Sequence, residues 1–422
     1  MKNIRILFLT VSLLVTCGVP FSMAQGLKKL PADSKIVTGT FPNGMSYYVV
    51  SNPAEKGFAD FALVYRHSAD AGDYVDVSRK ILSNRGRLQN RSLQKFLSSN
   101  AVAPTVKGYA ECSDDAVTFR LKDVMLSRSA ALADSLLLAV FGIADELSAN
   151  AVTTKDSLHF PLENMAVIVS GDVNGKDMVS KMGIFSLMTP RNSVLRDSTR
   201  VYSASEEPVR PAKVAVDKLD GGVCRIASSF YFPRIPTELM PTPQFAVIDK
   251  MSDTFSFIAE NRLRDALNSA AIPFAEVESD HLSSADVSGF ESISLSFCVL
   301  QKDADAAMKC FGEVLASLDR GEMDVNDIVL SSQLYGEKCL GTSARSVKNS
   351  EYVRLCSASF LRDAPLSTGA QLCEFCQSRV LPDTLQLRLM KTFSDALLSP
   401  DDSCSAFCAG WNDGKSVCGH SL

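Results

Sequence analysis

One order of elements occurs twice in this chain of 422 residues: strand pair, helix, strand pair, long helix. Val117-Thr118-Phe119-Arg120-Leu121 alternates apolar and polar residues and leads into a strongly apolar helix around Ala130. Ile293-Ser294-Leu295-Ser296-Phe297 alternates in the same way and leads into a helix from Ala304. Period-2 patterning lines one face of a strand with apolar side chains, so each sheet must be covered by the helices that follow it. Antiparallel strands with helices grouped together give an α+β fold. The repeat predicts two similar α/β-sandwich domains, each a mainly antiparallel sheet with helices on one face. At 46% hydrophobic residues the chain carries enough apolar side chain for two cores.

Local signals place the elements. Asn43-Gly44 between Ile36–Thr40 and Met45–Val50 is a hairpin signature. Phe58–Arg66 reads as a strand, and Leu88–Ser99 has helical spacing. Ser129–Leu147 is a long apolar helix, and Met165–Ser170 a buried strand followed by a turn at Gly171–Gly175. The polar stretch 189–211, rich in Arg, Ser and Pro, is expected to be a linker. Beyond it, Ala212–Asp217, Val223–Phe232, Phe274–Ser279 and Gly289–Val299 are expected strands. Gln244–Ser269 and Ala304–Leu318 are expected helices, followed by a helical region over Asn326–Leu398.

The first 24 residues have the layout of a secretory signal: Lys2 and Arg5, an apolar run from Ile6 to Val15, and small residues before a cut after Ala24. No other stretch reaches the length of a membrane-spanning helix. The expected organisation is a signal peptide at 1–24, a first domain at 25–188, the linker at 189–211, a second domain at 212–398 with a helical C-terminal part, and a tail at 399–422. The expected location is periplasmic or secreted. Formal net charge is -5, with no basic stripe, which argues against nucleic acid as a partner. Of 12 Cys, one lies in the leader, so an odd number remains. Cys224, Cys298, Cys310 and Cys356 sit in apolar segments and read as small buried hydrophobes, with some pairing open to the others.

No residue cluster announces a reaction. Cys373-x-x-Cys376 with Cys404 and Cys408 would be a four-Cys zinc site only if the pairs sat on knuckle turns; thiols on inner helix faces, or one or two disulfides, are the better reading. His67 beside Asp70 and Asp73 reads as a surface loop. His281 near Glu276, Glu278, Asp280 and Asp286 reads as a solvated acidic loop. No G-x-S-x-G is present.

Several segments, in order, resemble the insulinase/pitrilysin family of zinc peptidases. Thr40–Val50 resembles its opening hairpin, Asp115–Val124 its "D-E-T-x-Y-x-L-x-x-V" strand, and Asn164–Val173 its "N-M-x-L-V-V-V-G-D-V" strand. Asn261-Arg262-Leu263 with Phe274–Val277, and Tyr352–Pro365, resemble later stretches. The resemblance spans most of Val37–Leu398 and implies one half of such a peptidase. Active members carry His-x-x-Glu-His on a helix, two His for zinc and the Glu as general base. The matching stretch, Asp73–Ser83, holds no His. The polypeptide that would carry the third ligand, a Glu, is missing between Asn150 and Asn164. Expected catalytic residues, metal ligands and cofactors are therefore none.

The family also binds substrate as an added strand along an edge reading Asn-Ala-x-Thr. The matching residues are Tyr109, Ala110, Glu111 and Cys112, of which only Ala110 agrees. They form the candidate peptide-binding edge. The expected function is a non-catalytic partner subunit or peptide-holding half, with a homologous half, a second copy or extended peptides as partners. The alternatives are a hydrolase with a rebuilt site around His67 or His281, and a stand-alone peptide- or protein-binding module.

Overall fold

The computed structural model describes residues 29–66, 93–100, 102, 109–112, 116–129, 131–149, 161–189, 213–219, 221–233, 235, 237, 239–282, 290–378 and 381–398. In chain order the strands are β1 (Ile36–Thr40), β2 (Ser46–Ser51), β3 (Phe58–Arg66), β4 (Ala110–Cys112), β5 (Ala116–Met125), β6 (Met165–Gly171), β7 (Lys213–Leu219), β8 (Val223–Pro233), β9 (Phe274–Leu282) and β10 (Phe290–Leu300). The helices are α1 (Leu93–Ser99), α2 (Leu132–Ala149), α3 (Gly175–Ser186), α4 (Pro243–Ser269), α5 (Ala304–Asp319), α6 (Val325–Ala344), α7 (Asn349–Arg362), α8 (Gly369–Gln377) and α9 (Asp383–Leu398). The expected leader, the Asp73–Ser83 stretch, His67, the linker beyond Thr189 and the tail lie outside the described residues.

The fold is mixed α and β, built on two sheets. The first has the order β1-β2-β6-β3-β5-β4 and the second β7-β8-β10-β9. In the first, β2 and β6 run parallel and the other neighbours antiparallel; the second is antiparallel throughout. The β1–β2 hairpin closes over Phe41–Met45, where the Phe41 N–H donates to Met45 O at 2.8 Å. Gly44 has φ +94°, the backbone for which Asn-Gly turns select glycine. At Gly171 a Cβ would lie 2.6 Å from Ala59 Cα, so the approach of β6 to β3 admits glycine alone.

β6 is buried at every position, and the two sides of its pleat meet different partners. Val167 and Val169, with Val49, Phe61 and Leu63, face α2 and α3 through Leu136, Leu137, Phe141 and Met182. Ala166 and Ile168, with Tyr48, Val50, Ala62 and Val64, face Tyr352, Val353, Cys356 and Phe360 of α7. Two points correct the sequence reading. The first sheet carries helices on both faces, not one. The segment 345–371, expected within the second domain, groups with residues 29–203 instead. A strand apolar on both sides must be covered on both sides, and α7 supplies the second cover.

A polar seam fastens α7 to the sheet. Asn52 Nδ2 donates to Asn349 Oδ1 at 2.9 Å and to Val347 O at 3.0 Å, and the Ser170 hydroxyl donates to the same Asn349 oxygen at 3.2 Å. The Asn349 N–H donates to Glu55. Tyr352 donates to Asp33 Oδ2 at 2.8 Å, and burial first, then that acceptor, raise its pKa. Arg120 pairs with the buried Asp60 at 3.4 Å and donates to Ser350 O at 3.1 Å. Asp60 also accepts the Asp123 N–H at 2.9 Å. That bond holds Asp123 at φ +52° and carries β5 on to Met125, past the Leu121 end expected from alternation. Burial raises the Asp60 pKa against these lowering contacts.

In the second unit α4 and α5 cover one face of the sheet, with edge-to-face pairs Phe230–Phe255 at 6.4 Å and Phe297–Phe311 at 5.5 Å. Phe393 of α9 packs on Phe255 at 6.1 Å.

Candidate functional site

β4 ends the first sheet and pairs antiparallel with β5: Ala110 opposite Phe119, Glu111 opposite Thr118, Cys112 opposite Val117. The Arg120 N–H donates to Tyr109 O at 2.8 Å, so Tyr109–Arg120 is a hydrogen-bonded pair. In an antiparallel ladder such pairs alternate with open ones. Tyr109 and Glu111 therefore spend their main-chain groups on β5, while Ala110 and Cys112 turn N–H and C=O outward. Ala110, the position that agrees with the family pattern, is thus an outward-bonding one.

Tyr109 stands where the family pattern has Asn, and its ring belongs to the core. Its hydroxyl donates to Val102 O at 2.7 Å and ties Val102, three residues beyond α1, to the start of β4. Burial raises its pKa. Tyr109 is a structural anchor and does not present its side chain along the edge. Tyr109→Phe leaves the ring in place and orphans Val102 O, so urea unfolding is expected to show a loss of about 1 kcal/mol.

The other candidates separate. β9 continues to Leu282, so Glu276, Glu278, Asp280 and His281 lie on a strand and not on the loop expected for them; Asp286 lies outside the described residues. His281 pairs in register with Ile293. Cys298 Sγ lies 3.7 Å from Glu276, and burial followed by that carboxylate raises its pKa, which makes it an inert thiol. Cys224 and Cys356 are buried thiols as expected, and Cys310 is half-buried. Cys373 is bonded to Cys339, joining α8 to α6. Cys376 is a buried thiol against Ala246 O at 3.4 Å. With Cys373 in a disulfide, the four-Cys grouping does not form.

Among the described residues no three His, Cys, Asp or Glu side chains are grouped to hold a metal. Asp73–Ser83 offers carboxylates at Asp73 and Asp76 beside Arg79 and Lys80, with no imidazole. That donor set does not fit a tetrahedral zinc built on two His. Among the described residues no helix is long and apolar enough to cross a membrane.

No protein-family model and no curated protein matches the chain. Solved structures do. The first half of the periplasmic protease PqqL from Escherichia coli superposes with a TM-score of 0.63 at 12% identity, over 94% of this chain and 100% of that one. The chain has the fold of an M16 (insulinase-type) peptidase half. Against PqqL with both halves the TM-score is 0.64 at 12% identity, and this chain spans 52% of that protein. A peptidase M16 inactive domain from Pseudomonas fluorescens matches with a TM-score of 0.54 at 12% identity, over 85% of this chain and 94% of that one. At this identity the likeness is one of fold.

Sequence reasoning missed three features of this fold. Cys339 was not singled out as the partner of Cys373. The covering role of α7 left a sign only in the unbroken apolar run of β6. The contacts of Glu260 and Arg264 with β9 had a faint signal, a Glu followed four residues later by an Arg on a helix.

Proposed function

We propose that this chain is a non-catalytic, exported, peptidase-like half that holds an extended peptide on its β4 edge or completes a complex with a homologous half. The two units then correspond to the two similar sandwich domains of an M16 half. The observation that carries this is a pairing: an M16-half fold over nearly the whole chain, and a metal-helix stretch, Asp73–Ser83, without one His. Three further facts support it. A match of similar fold is named an inactive domain. Ala110 directs its main chain outward from an end strand, which is what strand addition requires. The Cys339–Cys373 disulfide suits an oxidising compartment, in keeping with the leader-like N-terminus.

Ala110→Pro removes one outward N–H and leaves the β5 ladder intact, since an edge strand tolerates proline on its open side. Fluorescence anisotropy with a library of unstructured peptides is expected to show binding without cleavage by the wild type and at least a ~10-fold weaker association by Ala110→Pro. Equal binding by both proteins would remove β4 as the site.

A further inference from the structure

β9 is the end strand of the second sheet among the described residues, yet two of its outer main-chain groups are occupied. Two side chains of α4 take them. Glu260 Oε1 accepts the Ser279 N–H at 2.9 Å and also the Ser279 hydroxyl. Arg264 Nη2 donates to Val277 O at 2.6 Å. The two side chains are joined at 3.0 Å as an i,i+4 ion pair. One acceptor on the N–H of residue 279 and one donor on the C=O of residue 277 is the pattern that a single residue of a parallel neighbouring strand would make.

Steric bulk does not close this edge. Beside it lies an open polar hollow of about 490 Å³, lined by Arg225, Glu278, Ser294 and Ser296 as well as by Glu260 and Arg264. Arg225 bridges it by donating to Ser296 Oγ at 3.0 Å. Space is present, while the Val277 C=O and the Ser279 N–H are already taken by side chains. Free strand edges are templates for pairing with another chain, and proteins block them with charge and cover.

We propose that Glu260 and Arg264 act as a side-chain strand surrogate that closes the β9 edge, with a second copy of this chain as the strand they exclude. The two end strands then differ: β4 presents outward main-chain groups at Ala110 and Cys112, whereas on β9 side chains take the Val277 C=O and the Ser279 N–H. The sealing stands whether or not β4 proves to bind peptides.

The test uses the full chain carrying Glu260→Ala with Arg264→Ala, and a control carrying Glu260→Gln with Arg264→Lys, which keeps one acceptor and one donor. Hydrogen exchange at the Ser279 amide is expected to quicken roughly tenfold or more in the first protein, while amides that β9 shares with β10 keep their protection. Sedimentation velocity is expected to show self-association strengthened roughly tenfold over wild type in the first protein and unchanged in the control. An unaltered Ser279 amide overturns the proposal. So does a faster amide without added self-association, or equal self-association by the control. Should the double alanine variant lose protection across the whole sheet, Glu260→Ala alone is put through the same two measurements, with the same outcomes deciding.

Discussion

Replacing Cys339 and Cys373 together by serine is expected to cost the second unit about 4 kcal/mol of unfolding free energy. The bond closes a loop of 34 residues in sequence separation, and in the chain-entropy account a loop of that length restricts the unfolded chain by roughly that amount. It joins α6 to α8, and both cysteines are buried at its ends. A loss of this size is a large part of the roughly 5–15 kcal/mol that a domain has in total. Urea unfolding of the variant reads it directly, and dithiothreitol added to the wild type is expected to reproduce it. A loss under about 1 kcal/mol, or two titratable thiols at these positions in the native protein, would contradict the account.

Arg120→Met is expected to cost about 3–5 kcal/mol at neutral pH, because it leaves Asp60 as an uncompensated carboxylate inside the first unit. The Asp60 side chain is 1% exposed, and its remaining contact is the Asp123 N–H. The same change strips Ser350 O at the start of α7 of a donor. The pH dependence has a definite sign. Burial already raises the Asp60 pKa in the folded protein. A raised folded pKa means that the folded state holds this proton more readily than the unfolded chain. Its favourable contribution is complete below the unfolded pKa and is lost as pH rises through the folded one. Removing Arg120 raises the folded value further. The deficit of Arg120→Met relative to wild type is therefore largest at neutral pH and shrinks on mild acidification. Urea midpoints at both conditions decide it: a deficit that grows toward acid would show that Asp60 is not the group left stranded.

Much of the strand and helix content follows from residue pattern alone, and the reasons are local. Asn43-Gly44 announces the hairpin because few other pairs tolerate its backbone. The alternation of Val117–Leu121 and Ile293–Phe297 places both strands, since period 2 has one physical source. Asn174 caps α3 by accepting from the Lys176 and Asp177 N–H groups, which turns the polar stretch after β6 into a helix start.

What pattern does not contain is the identity of a partner. The stripe Tyr352, Val353, Cys356 and Phe360 says that α7 buries one side, and says nothing of which sheet it covers. Its place among the late helices assigned it to the wrong unit. The outward turn of Ala110 depends on ladder register, which one strand's sequence does not carry. The Cys339–Cys373 pairing depends on how two helices separated by α7 come together. Asp60 and Arg120 sit within apolar strands as isolated charges, and only the pairing of β3 with β5 brings them to each other. Local chemistry was legible, and relations between distant segments were not.

The central proposal is that a chain with the fold of an M16 half works here without zinc chemistry. Elemental analysis of the purified protein, run with a fluorogenic-peptide cleavage assay with and without added zinc, tests it most directly. The expected result is no stoichiometric zinc and no cleavage in either condition. One bound zinc per chain with chelator-sensitive cleavage would contradict it and would mean that residues outside the Asp73–Ser83 stretch have assembled a working site.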